Sequence, residues 1–209
     1  MKRPRLLFLH GWAFGPSFWD PLAALLPEYP ARRLDLGFFG PEDLDFSPDP
    51  STATLAVGHS LGAMLLLAQS PSPFDALISL GGFTRFGVAP GPVRAMRRGL
   101  GRDPGAVLRG FYSSCALPEA NFPDTATARA DRLAWGLDQL LERDEAAALA
   151  RLAKPLLAVG ARDEAVVSPE NARASFGEGV TLLPSGGHAF PLTRARECAG
   201  LVRAFLESL

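Results

Sequence analysis

Five residues, Gly58-His59-Ser60-Leu61-Gly62, stand between an apolar run at 54–57 and a second one at 61–69. A serine placed where a strand reverses into a helix within so few residues is forced into a strained backbone conformation, and a glycine two positions away on either side lets neighbouring segments come close. Such a serine is lifted into the open at a helix N-terminus, where N–H groups and the helix dipole can stabilise an oxyanion. The chemistry that suits it is nucleophilic attack by Ser60 on an acyl carbon, with the Leu61 N–H as one oxyanion donor. The plainer alternative is a helix-capping serine in an ordinary strand-to-helix turn.

A serine hydroxyl is a poor nucleophile at neutral pH and needs a base, for which histidine has the right pKa. The chain has three histidines. His59 neighbours Ser60 but should point away from it on the turn, and His10 reads as a structural residue tying down a His-Gly-Trp turn. His188 remains, in the glycine-rich stretch Ser185-Gly186-Gly187-His188 after the final apolar run. The acid should lie between serine and base at a strand end, and Gly160-Ala161-Arg162-Asp163 follows an apolar run there. Asp163 is the expected acid of a Ser60, His188, Asp163 triad; the adjacent Glu164 could serve in principle, but the turn position after Gly-x-x favours the aspartate. A second oxyanion donor is expected from the loop after the first strand, where Gly11 permits close approach and the Trp12 N–H is the candidate. Trp12, Phe14 and Phe18 place aromatic bulk there; Phe14 and Phe18 suit the core as well as a pocket.

These groups need a scaffold. Short apolar runs at 5–9, 31–35, 54–58, 76–80, 155–159 and 180–184 alternate with amphipathic stretches at 17–26, 61–69, 169–176 and 193–209, the pattern of an α/β fold with a mostly parallel sheet flanked by helices. Serine N-caps are expected at Ser17 and Ser168. Between 84 and 153 no strand is convincing, but helical patches appear near 93–98, 106–112 and 126–141, which predicts a compact helical cap within a single domain spanning 1–209. A cap there would cover the C-terminal edge of the sheet, where open α/β folds bind ligands. Residues 38–51, rich in Pro, Asp and Gly, read as a loop.

A chain of 209 residues, 47% apolar and 21% charged, is an ordinary globular composition, and its net charge of -1 gives no global attraction to nucleic acid or anionic lipid. Cys115 and Cys198 show neither disulfide nor ligand spacing, so reduced thiols and no metal or other cofactor are expected. The basic start followed by residues 6–9 lacks a signal-peptide cleavage site and reads as a first strand; no apolar stretch approaches membrane-spanning length. A soluble, cytoplasmic monomer that binds neither membrane nor nucleic acid is the expectation.

With these residues in hand the chain resembles the α/β-hydrolase superfamily over its full length, and within it the pimeloyl-acyl-carrier-protein methyl ester esterases of biotin synthesis. The narrower resemblance rests on Leu9-His10-Gly11-Trp12, the pentapeptide around Ser60, Gly136-Leu137, Lys154-Pro155 leading to Gly160-Ala161-Arg162-Asp163, and Gly187-His188-Ala189-Phe190-Pro191. It implies an α/β-hydrolase fold, hydrolysis of a carrier-bound methyl ester with acyl carrier protein as partner, and substrate contacts at Trp12, Leu61, Phe111, Tyr112, Cys115 and His188. The antiparallel strands that usually open this fold look shortened or missing. Acyl carrier protein is acidic, and residues 84–134 hold eight arginines against four acids, an excess of four in a chain of net charge -1. Arg94, Arg97, Arg98 and Arg109 are the candidate docking residues, since complementary charge steers such encounters; a solvated arginine-rich face reads the same charge equally well. Three rivals stay open: a general carboxylesterase or thioesterase for small acyl groups, a carbon–carbon bond hydrolase or lyase with the same triad, and a non-catalytic ligand binder. Fold alone does not rank them.

Overall fold

A computed structural model describes residues 3–47 and 51–209. Residues 1–2 of the basic start and residues 48–50 of the 38–51 loop lie outside them. The chain runs β1 (Arg5–Leu9), α1 (Asp20–Ala24), β2 (Ala31–Leu34), β3 (Thr54–His59), α2 (Leu61–Leu67) and β4 (Ala76–Leu80). Helices α3 (Pro90–Leu100), α4 (Pro104–Ser114), α5 (Ala130–Glu142) and α6 (Ala146–Ala150) follow, and then β5 (Leu156–Ala161), α7 (Pro169–Phe176), β6 (Thr181–Leu183), α8 (Phe190–Thr193) and α9 (Ala195–Glu207). The six strands form one sheet of order β2-β1-β3-β4-β5-β6, every pair parallel. The α/β architecture expected from the alternating runs is the one observed. No helix among the described residues is long and apolar enough to cross a membrane.

The register explains how distant residues converge. Leu9 pairs with Gly58, so the loop after β1 and the turn after β3 leave the sheet side by side. The chain moves outward from β1 in both directions, to β2 on one side and β3 on the other, which opens a crevice at the C-terminal strand ends. All six residues of β3 and all seven of α2 are buried. A helix apolar all round must be enclosed, and α2 lies between the sheet and α5.

Three sequence-predicted boundaries shift. The helix expected at 17–26 is a single 3-10 turn, Pro16–Trp19, followed by α1, and Ser17 does not cap it. Pro16 and Pro21 each start a turn, where a missing N–H costs nothing. Helix α5 begins at Ala130 rather than 126, because Asp124 Oδ1 accepts the Ala126 N–H in a preceding turn and the Arg129 N–H is taken by the Phe38 carbonyl. The last helix divides into α8 and α9 at Arg194. Ser168 does cap α7, accepting the Asn171 N–H at 3.2 Å.

Candidate active site

Ser60 follows β3 with φ +53 and ψ -124, outside the regions an ordinary side chain prefers. Such a conformation costs about 1–3 kcal/mol and persists where the surroundings enforce it. The enforcement is steric closeness: a Cβ on Gly62 would lie 2.3 Å from the Leu9 carbonyl oxygen, and one on Gly11 would lie 2.9 Å from Ser60 Cβ. The Ser60 N–H is bonded to the Leu80 carbonyl of β4 at 3.1 Å. The serine is thus locked between the ends of β1 and β4.

His188 arrives from the loop after β6 and is wholly buried. Its Nε2 lies 2.9 Å from Ser60 Oγ, where it can accept the hydroxyl proton. Its Nδ1 meets Glu164 Oε1, with both side chains 1% exposed. Glu164 Oε1 also accepts the Val167 N–H at 3.0 Å, which fixes the carboxylate within the turn after β5. Glu164, not Asp163, therefore stands on the base. Asp163 faces the other way, exposed, and accepts the N–H groups of Gly186 and Gly187 at 3.0 Å each. Partial burial opposes its ionisation, but the Gly187 and Gly186 amides outweigh it and hold the Asp163 carboxyl below the usual range. The sequence expectation fails by one residue because the turn sends successive side chains to opposite sides. A signal was present: Glu164 heads the apolar stretch Ala165-Val166-Val167, as a carboxylate turned inward would.

His59 points away from Ser60 yet is not idle. Its Nε2 donates to the His188 carbonyl at 2.9 Å, and its ring stacks on Phe18 with centroids 4.6 Å apart. Full burial, and then the neighbouring charge of His188, keep it neutral by pushing its pKa well below the ordinary histidine value. His10 ties down its turn: the Leu36 N–H can only donate, so Nε2 accepts it at 3.1 Å, and Nδ1–H donates to the Gly11 carbonyl at 2.9 Å. Leu61 follows Ser60 directly and Gly11, the residue before Trp12, packs against the Ser60 side chain; neither the Trp12 nor the Leu61 amide donates a hydrogen bond among the described residues.

An apolar cavity of about 410 Å³ lies under α3, α4 and α5, lined among others by Trp12, Val93, Met96, Phe111, Leu140 and Val166. Of the expected substrate contacts, Trp12 and Phe111 line it. Tyr112 and Cys115 are wholly buried and do not line it, and Leu61 and His188 are buried at the Ser60 turn. The Phe111 ring stands edge-on to Trp12 at 4.7 Å and lies 6.5 Å from the His188 ring, between cavity and base. Burial, with the nearby Glu164 charge adding to it, pushes the Cys115 thiol pKa up, so Cys115 is a neutral packing group. Arg94, Arg98 and Arg109 are exposed on α3 and α4, whereas Arg97 is held by Asp138 of α5 through bonds of 2.5 and 3.0 Å.

The alpha/beta hydrolase family model matches residues 6–201. The chain is 28% identical to the biotin biosynthesis bifunctional protein BioHC of Cellvibrio japonicus; all of it matches 49% of that protein, so it spans about half of that relative's length. It is 27% identical to the pimeloyl-[acyl-carrier protein] methyl ester esterase of Aromatoleum aromaticum, over 97% of this chain and 98% of that one. A solved esterase from Exiguobacterium antarcticum superposes with a TM-score of 0.82 at 17% identity, covering 99% of this chain and 93% of the other, a likeness of fold. With the parallel sheet, the serine turn after β3 and a family match from residue 6 to 201, this chain belongs to the alpha/beta hydrolase family.

Proposed function

We propose that the chain is a serine carboxylic-ester hydrolase with Ser60, His188 and Glu164 as triad, and that it demethylates an acyl methyl ester carried on acyl carrier protein. The observation that carries the hydrolase reading is the unbroken path from Ser60 Oγ through both ring nitrogens of His188 to a buried carboxylate. Ser60 attacks the ester carbonyl as His188 Nε2 takes its proton, and the Glu164 carboxylate stabilises the imidazolium. The Trp12 and Leu61 amides receive the oxyanion. Nε2 then protonates the departing alcohol, and a water repeats the sequence on the acyl-enzyme.

The carrier-bound substrate has separate support. The 410 Å³ cavity is apolar, as an acyl chain requires, and falls within the range of small-molecule sites. Arg94 and Arg98 stand one helical turn apart on α3, exposed, with Arg109 exposed on α4, and the methyl ester esterase of Aromatoleum aromaticum is a relative along nearly its whole length. A second reading, an esterase of small acyl groups without a carrier, is favoured by the pairing of Arg97, Arg129 and Arg132 with acids of the chain itself. Methyl ester hydrolysis of pimeloyl-acyl carrier protein, by wild type beside Ser60→Ala, separates the two. Cleavage by wild type alone supports the carrier substrate; no cleavage while small esters are still hydrolysed by wild type leaves the esterase and removes the carrier.

A further inference from the structure

The loop that carries the Trp12 amide is held from above by the cap. The Trp12 indole N–H donates to the Leu133 carbonyl of α5 at 2.8 Å, and the Tyr112 hydroxyl of α4 donates to the Ala13 carbonyl at 2.7 Å. Below, the loop has the His10 bond to the Gly11 carbonyl and a long 3.4 Å bond from the Phe14 N–H to the same oxygen. Ala13 sits at φ +60, a left-handed conformation that a residue with a Cβ resists. Tyr112 is wholly buried, with its ring packed on Phe14 and Phe122 at 5.6 and 5.2 Å. A hydroxyl in such surroundings bonds strongly, since no water competes with it.

We propose that Tyr112 is a positioning residue for the oxyanion donor: its hydroxyl, reaching down from the cap, holds Ala13 left-handed and thereby aims the Trp12 amide at the carbonyl oxygen being attacked. The proposal rests on the esterase reading above. Relaxation of Ala13 toward an ordinary φ turns the adjoining peptides, and a donor aimed at charge that develops in the transition state works only in its preorganised place. The consequence falls on kcat rather than KM, because the ground-state ester does not depend on that bond. It also ties the oxyanion donor to the seat of α4 and α5, so a shift of the cap is felt at Ser60 without any contact between them.

The test is a double-mutant cycle on hydrolysis of p-nitrophenyl butyrate. Tyr112→Phe keeps the ring and removes the hydroxyl; it should lower kcat about tenfold, part of the roughly 10²–10³-fold that loss of a whole oxyanion donor costs, and leave KM within about twofold. It should weaken a boronic acid that forms a tetrahedral adduct on Ser60 by a similar factor. Glycine adopts a left-handed φ without strain, so in the Ala13→Gly background the same Tyr112→Phe change should cost less than about threefold, a coupling between neighbours that only the cycle isolates. Equal losses in both backgrounds, or a loss carried by KM, would reduce Tyr112 to packing and overturn the proposal. Absence of Ser60-dependent hydrolysis in wild type would overturn the esterase reading, and this inference with it.

Discussion

Glu164 Oε1 serves the Nδ1 of His188 and the amide of Val167 at once, while the carboxylate of Asp163, its neighbour in sequence, points out to the two glycine amides that precede His188. Two adjacent acids thus have separable tasks: one holds the imidazole, the other the loop on which the imidazole rides. Glu164→Gln should lower kcat on the order of 10⁴-fold, by analogy with loss of the orienting carboxylate in serine proteases. Asp163→Asn keeps acceptor oxygen for the glycine amides and should cost no more than about tenfold, the lost charge weakening those bonds without breaking the triad. Single-turnover acylation rates for the two variants check the assignment, and a greater loss in Asp163→Asn would return the acid's role to Asp163.

The neutrality of His59 gives stability a pH dependence. Burial first, and the His188 charge second, depress its pKa in the folded chain. The unfolded chain takes up the proton near pH 6.5, so below that value it binds more protons than the native state and stability falls as pH falls. Above pH 6.5 the contribution is fully present. Between pH 7.5 and 5.5, urea unfolding of wild type should lose about 1 kcal/mol more than that of His59→Gln, which does not titrate. Parallel losses in the two proteins would mean that His59 does not carry this linkage.

Crowding at the serine turn predicts opposite outcomes for two glycine-to-alanine changes. A Cβ at Gly62 would lie 2.3 Å and 2.5 Å from the carbonyl oxygens of Leu9 and His10, which belong to backbone and cannot swing aside. Gly62→Ala should destabilise by at least about 2 kcal/mol, in the range of overpacked core substitutions. Gly200 lies exposed in α9 with nothing within 4 Å of its added Cβ, so Gly200→Ala should stabilise by about 0.5–1 kcal/mol through helix propensity. Thermal unfolding of the pair decides it; a tolerated alanine at 62 would mean that the serine turn can open.

What the sequence made legible was what local pattern encodes. Most of the sheet could be read because its central strands are short apolar runs, whereas the edge strand β2 is Ala-Arg-Arg-Leu and mostly exposed; β3 carries both its burial and its turn within residues 54–62. The pairing of Ser60 with His188 was readable by type and chain order, since few residues could supply either partner. The choice between Asp163 and Glu164 was not readable, because it depends on the direction of one turn after β5, which the contact of that turn with the His188 loop decides. Neither was the hold of Tyr112 on Ala13, which joins residues 99 apart in sequence through a backbone carbonyl and leaves no trace in residue type. The starts of the first helix and of α5 were misread for a related reason: prolines in one and a turn bonded to Phe38 in the other override the helical periodicity.

Charge on α3 and α4 separates docking from architecture. Arg94 and Arg98 lie exposed on α3 and Arg109 on α4, where the proposed carrier would meet them, whereas Arg97 grips Asp138 and so fastens α3 to α5. Replacing Arg94, Arg98 and Arg109 together by alanine should raise KM for carrier-bound ester about tenfold at low salt, leave p-nitrophenyl butyrate within about twofold, and flatten the salt dependence, since exposed charges act through steering that salt screens. Arg97→Ala should instead change both substrates alike, because its loss loosens the packing of the cap over the cavity whichever ester is bound. Kinetics on the two esters at 50 and about 500 mM salt make the comparison, with screening strong at the higher value. A triple variant that loses both substrates equally would assign these arginines to the cap's own stability and leave carrier recognition to another surface.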